Sequence, residues 1–243
     1  MNKISVIVPF YNPPIHLFAE CLQGLKRLNP YEVILVDDCS TDKHVVTTAK
    51  ASGFIYLKTP YQSGYDGLPF NLGVQKATGD YICRVDSDDV LLELPECIET
   101  DIHFGRLNRV KPPVGINVEE LILAPRAIIN GMVAKREIFL RYPMAEDPNV
   151  YGDVLFVLRV LHNHHTYTVH PRVNYIYHKH PASIQNSKSH FFHRLNHIQT
   201  VARFCQMENI EPVQAIRYLE MAMLNVRFGS ESLKMLMKKQ PKK

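Results

Sequence analysis

The amino-acid sequence predicts an α/β fold in which helices flank a mostly parallel, doubly wound sheet. Apolar runs rich in β-branched residues recur at residues 3–8, 32–36 and 54–57, as is typical of strands buried on both faces. Segments of helical periodicity separate these runs, which is the alternation that parallel sheets require. Ligands bind such sheets at the carboxyl ends of the strands, so the functional site is expected at that edge.

Three helices are predicted between the first four strands. Each helical pattern ends at a proline or a glycine, residues that commonly stop helices. The second helix can be capped by Ser40 or Thr41. The predicted helices cover residues 15–28, 41–53 and 70–77, and the fourth strand begins at residue 80.

The composition is that of an ordinary globular enzyme. The 243 residues are 46% hydrophobic and 21% charged, with a net charge of +4, and they suffice for one large or two small domains. The five cysteines are scattered and form no CxxC pair, which argues against a disulfide framework and for a reducing compartment. No signal-peptide pattern and no apolar run of about 18 residues occurs, so a cytoplasmic protein is expected.

Acidic residues follow two of the predicted strands. Asp37–Asp38 come after the second strand, and Asp86, Asp88 and Asp89 come after the fourth. Aspartate is disfavoured in strands, so its repetition at one sheet edge indicates a shared site. A polar strand exit, with aspartate as a turn former, is the alternative explanation of each cluster taken alone.

A divalent cation would suit the second of these clusters. Neighbouring carboxylates repel one another, and Mg²⁺ or Mn²⁺ takes oxygen ligands while keeping positions open for substrate phosphates. The turn after the first strand carries Pro13–Pro14 and offers no glycine-rich phosphate loop. Any phosphate bound here is therefore expected to be neutralised by a metal.

The second half of the chain has a less regular pattern. Asp153 opens a strongly apolar helix, where an acid suits the helix dipole or, alternatively, points toward the acidic sheet edge. From about Lys188 onward the chain is expected to be helical. The other predicted elements are a helix end and a strand at 98–110, a strand–turn–strand at 127–134, a short helix at 136–141 and a strand region at 170–180.

Three segments carry a family resemblance, in family order and at family spacing. They are ISVIVPFYN at residues 4–12, VILVDDCSTD at residues 33–42, and the run from Asn71-Leu72-Gly73 through ATGDYI to Asp86-Ser87-Asp88-Asp89. These segments resemble the family 2 glycosyltransferases of the GT-A fold, inverting enzymes that use nucleotide-sugar donors. The resemblance covers residues 3 to about 92, and it extends more loosely to about residue 185.

The resemblance implies a nucleotide site after the first two strands. Tyr11 would stack on the nucleobase, typically uracil, and Asp38 would accept a hydrogen bond from its N3–H. Asp37 would support the loop, and Pro9 would belong to the same donor-binding segment. The implied organisation is a nucleotide-sugar-binding subdomain at 1–92, an acceptor-binding part at 93–185 and a C-terminal helical extension at 186–243.

The resemblance also implies a metal site and a catalytic base. Asp86-Ser87-Asp88 looks like the family's DxD element, in which Asp86 and Ser87 would face the donor and Asp88 would coordinate Mn²⁺ or Mg²⁺. His180 aligns with a region that approaches the metal or the diphosphate in related enzymes. Asp153 looks like the general base. Asp89 is expected to cap a helix or to support the other two acids.

The chain departs from the family pattern at three positions. Gly152 stands where an acid usually precedes the base, which leaves Glu146–Asp147 as competitors of Asp153. Phe70 replaces the family's usual arginine, so a charged contact to the donor from that position is in question. Cys39 replaces a common glycine.

The function implied is metal-assisted transfer of a sugar from a UDP-sugar to a glycan or lipid-linked acceptor. The mechanism would be a single displacement with inversion, and the setting would be surface polysaccharide assembly, such as lipopolysaccharide or capsule. The alternative is a catalytically decayed nucleotide-sugar-binding or scaffold module. A nucleotidyltransferase is disfavoured because it normally needs a glycine-rich phosphate loop.

The role of residues 186–243 stays open at the level of sequence. These residues could cover the acceptor site, form a homodimer or contact a membrane surface from the cytoplasmic side, and no nucleic-acid partner is expected. The lysines of the tail are weak support for an anionic surface, because a solvated chain end explains them equally well. They are Lys238, Lys239, Lys242 and Lys243.

Overall fold

The computed structural model describes residues 2–108, 115–125, 129–179 and 190–224. Its strands are β1 (Ile4–Phe10), β2 (Glu32–Asp37), β3 (Ile55–Lys58), β4 (Tyr81–Arg84), β5 (Val90–Leu91), β6 (Ile102–Phe104), β7 (Val133–Lys135), β8 (Tyr167–Val169) and β9 (Tyr175–Ile176). Its helices are α1 (Ile15–Leu28), α2 (Lys43–Ala51), α3 (Gly67–Lys76), α4 (Val118–Leu123), α5 (Arg136–Arg141), α6 (Gly152–His162), α7 (His190–Met207) and α8 (212–224).

The chain divides into two compact units. The first comprises Met1–Val114, Ile128–Pro148 and His165–His180, and it holds every strand of the described residues together with α1, α2, α3 and α5. The second comprises Gly115–Ala127, Asn149–His164 and Pro181–Lys243, and its described elements are α4, α6, α7 and α8. The domain boundaries expected near residues 92 and 185 stay a prediction.

A seven-stranded sheet forms the centre of the first unit, in the order β3-β2-β1-β4-β7-β6-β8. β1 to β4 are parallel, and β8 is parallel to β6. β7 runs antiparallel to both of its neighbours, β4 and β6. The prediction of a mostly parallel sheet flanked by helices is therefore confirmed.

β1 lies in the middle of the parallel strands and is buried along its whole length. Helices cover both of its faces, which explains its nearly continuous apolar sequence. α3 approaches so closely that a Cβ at Gly73 would lie 2.5 Å from a methyl carbon of Ile7. The parallel pairing of β1 with β2 and β4 places the carboxyl ends of these three strands at one edge of the sheet.

β5 and β9 form a separate antiparallel pair next to that edge. Leu91 pairs with Tyr175 in this pair, and Val90 pairs with Ile176. β5 directly follows the acids of residues 86–89, so β9 brings residues 175–178 against them. Asp89 is thus followed by a strand, and the expectation that it caps a helix is wrong.

Several elements differ from the sequence-based expectations. α3 begins at Gly67, three residues before the predicted start, and α4 and β5 were not predicted. Of the strand region expected at 170–180, the described residues contain β9 alone, and β8 was not predicted because it ends just before that region. Only the second strand of the predicted pair at 127–134 lies among the described residues. These strands have two or three residues, too few for a period-2 pattern to be read.

The second unit is organised around α6 and α7. Arg159 on α6 pairs with Glu208, with 2.6 Å between Nε and Oε1, and both side chains are largely buried. His197 on α7 places its Nε2 2.7 Å from the carbonyl oxygen of Ile122 on α4. In the part of the chain that the structure describes, none of the helices has the length and apolar character needed to cross a membrane.

Candidate functional site

The loops after β1 and β2 are tied together by Asn12. Its Oδ1 accepts hydrogen bonds from the backbone N–H groups of Thr41 and Asp42, both at 2.9 Å. Its own backbone N–H donates to Ser40 Oγ at 3.1 Å. The neighbouring Tyr11 is 41% exposed, so its ring is accessible beside a loop that side-chain hydrogen bonds hold in place. Stacking of this ring on a base stays a prediction, as does the role of the buried Pro9.

Asp37 is buried and supports the loop after β2. One carboxylate oxygen accepts the backbone N–H of Ser40 at 2.7 Å, and the other accepts the Tyr56 hydroxyl at 2.6 Å. Burial and the bond to Asp37 raise the pKa of Tyr56, because the carboxylate favours the protonated phenol. The side chain therefore shapes the loop from inside the protein.

The carboxylate of Asp38 is surrounded by donors of the chain. Its side chain accepts hydrogen bonds from Thr59 Oγ1 (3.1 Å), from the backbone N–H and Oγ of Ser63 (3.0 Å to the nearest oxygen in each case) and from the backbone N–H of Gly64 (3.0 Å). Asp38 is 3% exposed. These donors fill its acceptor positions, so a nucleobase N3–H could bind Asp38 only by replacing one of them.

Cys39 has a left-handed backbone, with φ of 64°. Glycine adopts this conformation without a steric penalty, whereas other L-residues pay roughly 1–2 kcal/mol. The backbone at this position would therefore suit a glycine, the residue that the family resemblance led us to expect here. The Cys39 thiol lies 3.4 Å from the carbonyl oxygen of Thr59, to which it donates.

After β4, Asp86 is held by three neighbours. Arg84 Nη2 donates to Asp86 Oδ1 at 2.9 Å, and Asn130 Nδ2 donates to Oδ2. The backbone N–H of Asp86 donates to the Tyr175 hydroxyl at 2.9 Å. Burial raises the pKa of Asp86; Arg84 opposes this shift and the negative charge of Asp88 adds to it.

Asp89 is the most buried acid of this cluster, with 1% exposure. Its Oδ1 accepts the backbone N–H of His178 at 2.8 Å, and His178 Nδ1 lies 2.8 Å from the carbonyl oxygen of Asp88. Burial raises the pKa of Asp89 to about 8, and the negative charge of Asp86 contributes. Asp89 thus anchors the segment after β9. Ser87 between the acids is buried.

This cluster fits a cation whose coordination is completed by substrate. The negative charges of Asp86 and Asp88 raise the pKa of Asp89, and that of Asp88 raises the pKa of Asp86, which marks a concentration of negative charge. Within the described ranges, no three His, Cys, Asp or Glu side chains form a ready cage for a metal. Mg²⁺-type ions are commonly held by one or two carboxylates plus substrate phosphates, and the acids of this cluster can supply the carboxylates of such a donor set. His180 lies outside the described residues.

Asp153 occupies the first turn of α6 in the second unit. It is half-buried, and its Oδ1 accepts the backbone N–H of Val154 at 2.8 Å. The preceding Tyr151 has a pKa raised to about 12 by burial and by the charge of Asp153. Tyr151 is fixed by its hydroxyl, which lies 2.6 Å from His193 Nδ1. The assignment of Asp153 as the base stays a prediction. Among its competitors, Glu146 accepts a hydrogen bond from Asn71 Nδ2 at 2.9 Å.

Sequence reasoning missed the side chains that hold the acids. Arg84 was visible as one charged residue inside an apolar strand, which is unusual unless it is paired. Asn130 was predicted to lie in a turn beside Gly131, whose φ of 66° confirms the turn. Nothing in the sequence indicated that this turn would meet Asp86.

Solved structures with this architecture are glycosyltransferases. TarS 1-349 of S. aureus in complex with UDP-GlcNAc has a TM-score of 0.68 at 20% identity, over 98% of this chain and 76% of that one. The mannosyltransferase PcManGT of Pyrobaculum calidifontis, in complex with GDP-Man and Mn²⁺, has a TM-score of 0.61 at 17% identity, over 99% and 76%. The fold is therefore the GT-A fold of glycosyltransferases.

Sequence comparison finds a family match in the first part of the chain. Residues 5–100 match the family described as Glycosyl transferase family 2. The poly(ribitol-phosphate) beta-N-acetylglucosaminyltransferase TarS of Staphylococcus aureus (strain Mu50) is 37% identical over 98 residues, covering 37% of this chain and 17% of that protein. The poly(ribitol-phosphate) beta-glucosyltransferase of Bacillus spizizenii is 36% identical over 97 residues, covering 37% and 15%. The matches thus span less than a fifth of these relatives' length.

Proposed function

We propose that the chain transfers a sugar from a UDP-sugar to a hydroxyl group of a glycan or lipid-linked acceptor. The observation that carries the proposal is the pair of acidic strand ends at one edge of a GT-A sheet, Asp38 after β2 and Asp86–Asp89 after β4. The UDP-GlcNAc complex of TarS supports a uridine nucleotide. The names of the two relatives, both poly(ribitol-phosphate) glycosyltransferases, support an acceptor in surface polymer assembly.

The donor's nucleoside would bind across the loops after β1 and β2. Tyr11 offers an exposed aromatic face for stacking, which is favourable for any base. Asp38 would accept the N3–H of uracil after exchanging one of its present donors. Ser63 Oγ is suited to leave, because it also lies 2.7 Å from the carbonyl oxygen of Tyr65 and can donate there instead. Asp37 keeps this loop in shape.

The sugar-diphosphate end would lie at the carboxyl end of β4. Asp86, oriented by Arg84 and Asn130, would accept hydrogen bonds from the ribose or the donor sugar. A divalent cation held by Asp88, Mn²⁺ or Mg²⁺, would supply Lewis-acid neutralisation of the leaving nucleoside diphosphate. His180 is a further candidate ligand.

Inversion in a single displacement needs a base on the opposite face of the sugar from the leaving group. Asp153 would take the acceptor hydroxyl proton in this step, and the raised pKa of its neighbour Tyr151 keeps that phenol protonated. The acceptor oxygen then bonds to the anomeric carbon as the bond to the diphosphate breaks.

The proposal is tested by incubating the purified protein with a panel of UDP- and GDP-sugars and with poly(ribitol phosphate) or lipid-linked acceptors, with and without Mn²⁺. Release of UDP and sugar transfer are expected with one donor. Asp153→Asn is expected to lower kcat by about 10²–10⁴-fold with donor affinity unchanged. Asp147→Asn is the matched control.

Two results would contradict the proposal. A folded protein that neither transfers nor hydrolyses any donor would not be a glycosyltransferase. Tight UDP binding without turnover, unaffected by Asp153→Asn, would instead indicate a nucleotide-sugar-binding scaffold. Loss of activity in Asp147→Asn alone would move the base to that residue.

A further inference from the structure

A buried cation lies between the two acidic strand ends. The Arg84 side chain is 7% exposed, and its Nη2 lies 2.5 Å from Asp66 Oδ2 and 2.9 Å from Asp86 Oδ1. A buried guanidinium is costly unless carboxylates neutralise it, so these two contacts are strongly favoured over separated charges. Asp66 itself is 43% exposed in its side chain.

The segment from Ser63 to Asp66 links this cation to the other strand end. At its beginning, the backbone N–H groups of Ser63 and Gly64 donate to Asp38. At its end, Asp66 binds Arg84, which also binds Asp86. A single short loop and one arginine therefore connect the carboxylate after β2 to the carboxylate after β4.

Arg84 also lies over the ring of Phe70 on α3. Its guanidinium carbon is 5.8 Å from the ring centroid, within the range of a cation–π contact. The positive charge next to this position of α3 is thus supplied from β4.

We propose that Arg84 is a positioning residue for donor binding. It orients Asp86 toward the donor, and through Asp66 it couples the Asp38 loop to the Asp86 centre. This inference rests on the proposed function, because nucleotide binding is the property that it tunes.

The test compares Arg84→Gln, Asp66→Asn and the double variant, by calorimetry with UDP and Mn²⁺. Arg84→Gln is expected to weaken UDP binding about 10–100-fold, as is common when the partner that orients a ligand-binding side chain is removed. Asp66→Asn is expected to weaken binding as well. Both changes break one link, so the double variant is expected to bind within about twofold of Arg84→Gln alone. Arg84→Lys is expected to recover part of the loss.

The matched control is Asp80→Asn. Asp80 is exposed at the opposite end of β4. Its substitution removes one negative charge, as Asp66→Asn does, without touching the contacts of Arg84. Its UDP affinity is expected to equal that of the unchanged protein. Melting temperatures of all variants are measured, and binding is compared well below them. A purely structural role for Arg84 would lower the melting temperature and leave UDP affinity unaltered, which would overturn the inference.

A reciprocal exchange tests whether a positive charge supplied from α3 can replace that of Arg84. Arg84→Phe alone is expected to bind UDP poorly, whereas the pair Phe70→Arg with Arg84→Phe is expected to restore most of the affinity. Both positions are buried, so the double exchange can fail to fold. In that case the UDP affinities of Asp66→Asn and Arg84→Gln decide the test. If the unchanged protein binds UDP and Arg84→Gln binds it equally well, the inference is wrong and the proposed function stands. If the unchanged protein binds no nucleotide, the proposed function fails and the inference with it.

Discussion

After β2, the carboxylate of Asp38 is enclosed by donors of the chain, whereas after β4 the acids Asp86, Asp88 and Asp89 lie close enough together for their charges to act on one another. At the first end, backbone and hydroxyl donors from a single loop satisfy one acid. At the second end, one guanidinium, one amide and one backbone N–H serve several acids. The first end is complete within the protein, and the second retains excess negative charge.

This difference separates two uses of the same residue type. A carboxylate saturated by backbone N–H groups organises a loop, and its removal should harm folding. A carboxylate that repels its neighbours is held in place at a cost to stability, which a bound cation can offset. The two ends should therefore respond in opposite ways to neutralisation.

The largest expected effect is on activity, at the β4 end. Asp88→Ala is expected to lower kcat for sugar transfer by at least about 100-fold, because the charge that develops on the leaving diphosphate loses its stabilisation. The melting temperature is expected to stay the same or to rise, since one repelling charge is removed. Steady-state assays and thermal unfolding measure both, with Asp80→Ala as the control. Activity within tenfold of the unchanged protein would exclude Asp88 as the metal ligand.

The next effect is on stability, at the β2 end. Asp38→Asn is expected to lower the free energy of unfolding by about 1–3 kcal/mol, because its amide nitrogen would face buried donors such as the Gly64 N–H. Each kcal/mol corresponds to a melting temperature lower by about 2–4 °C. Asp42→Asn is the matched control, since this exposed cap of α2 keeps its single acceptor oxygen. Equal melting temperatures for the two variants would contradict the contrast between the two strand ends.

A pH dependence of stability is also expected at the β4 end. Asp89 keeps its proton up to a pKa of about 8 in the folded protein, whereas an unfolded aspartate loses it near pH 4. The folded state therefore binds the extra proton between these values, and stability is lost as pH rises through this window. Asp89→Asn removes this loss, so its melting temperature relative to the unchanged protein is expected to rise from pH 4 to pH 8.

Thermal unfolding in a chelating buffer measures this pH dependence. Addition of Mn²⁺ and UDP is expected to reduce the difference in pH dependence of the melting temperature between Asp89→Asn and the unchanged protein, because the cation favours ionised carboxylates. If the melting temperatures of the two proteins differ by the same amount at every pH, the pKa of Asp89 is not raised and the prediction is wrong.

The parallel half of the fold could be predicted because its signals are local. β1 to β4 are apolar runs that alternate with single helices along the chain, and the acids mark where two of them end. The short strands β5 and β8 could not be located, since hydrogen bonds to distant partners select them. Arg84 and Asn130 could not be predicted as partners of Asp86, because a sequence shows residue types but not which side chains come into contact.

The central place of β1 has a consequence for how the chain folds. β1 is the first strand in the sequence, yet Ile4 pairs with Tyr81 on one side and the strand pairs with β2 on the other. Pairing with β2 is available early, whereas pairing with β4 must wait for a far longer loop to close. In that interval an apolar strand presents an open edge that other chains could join. On a ribosome, the stretch of synthesis between β2 and β4 is therefore the period in which the nascent chain is most exposed to aggregation.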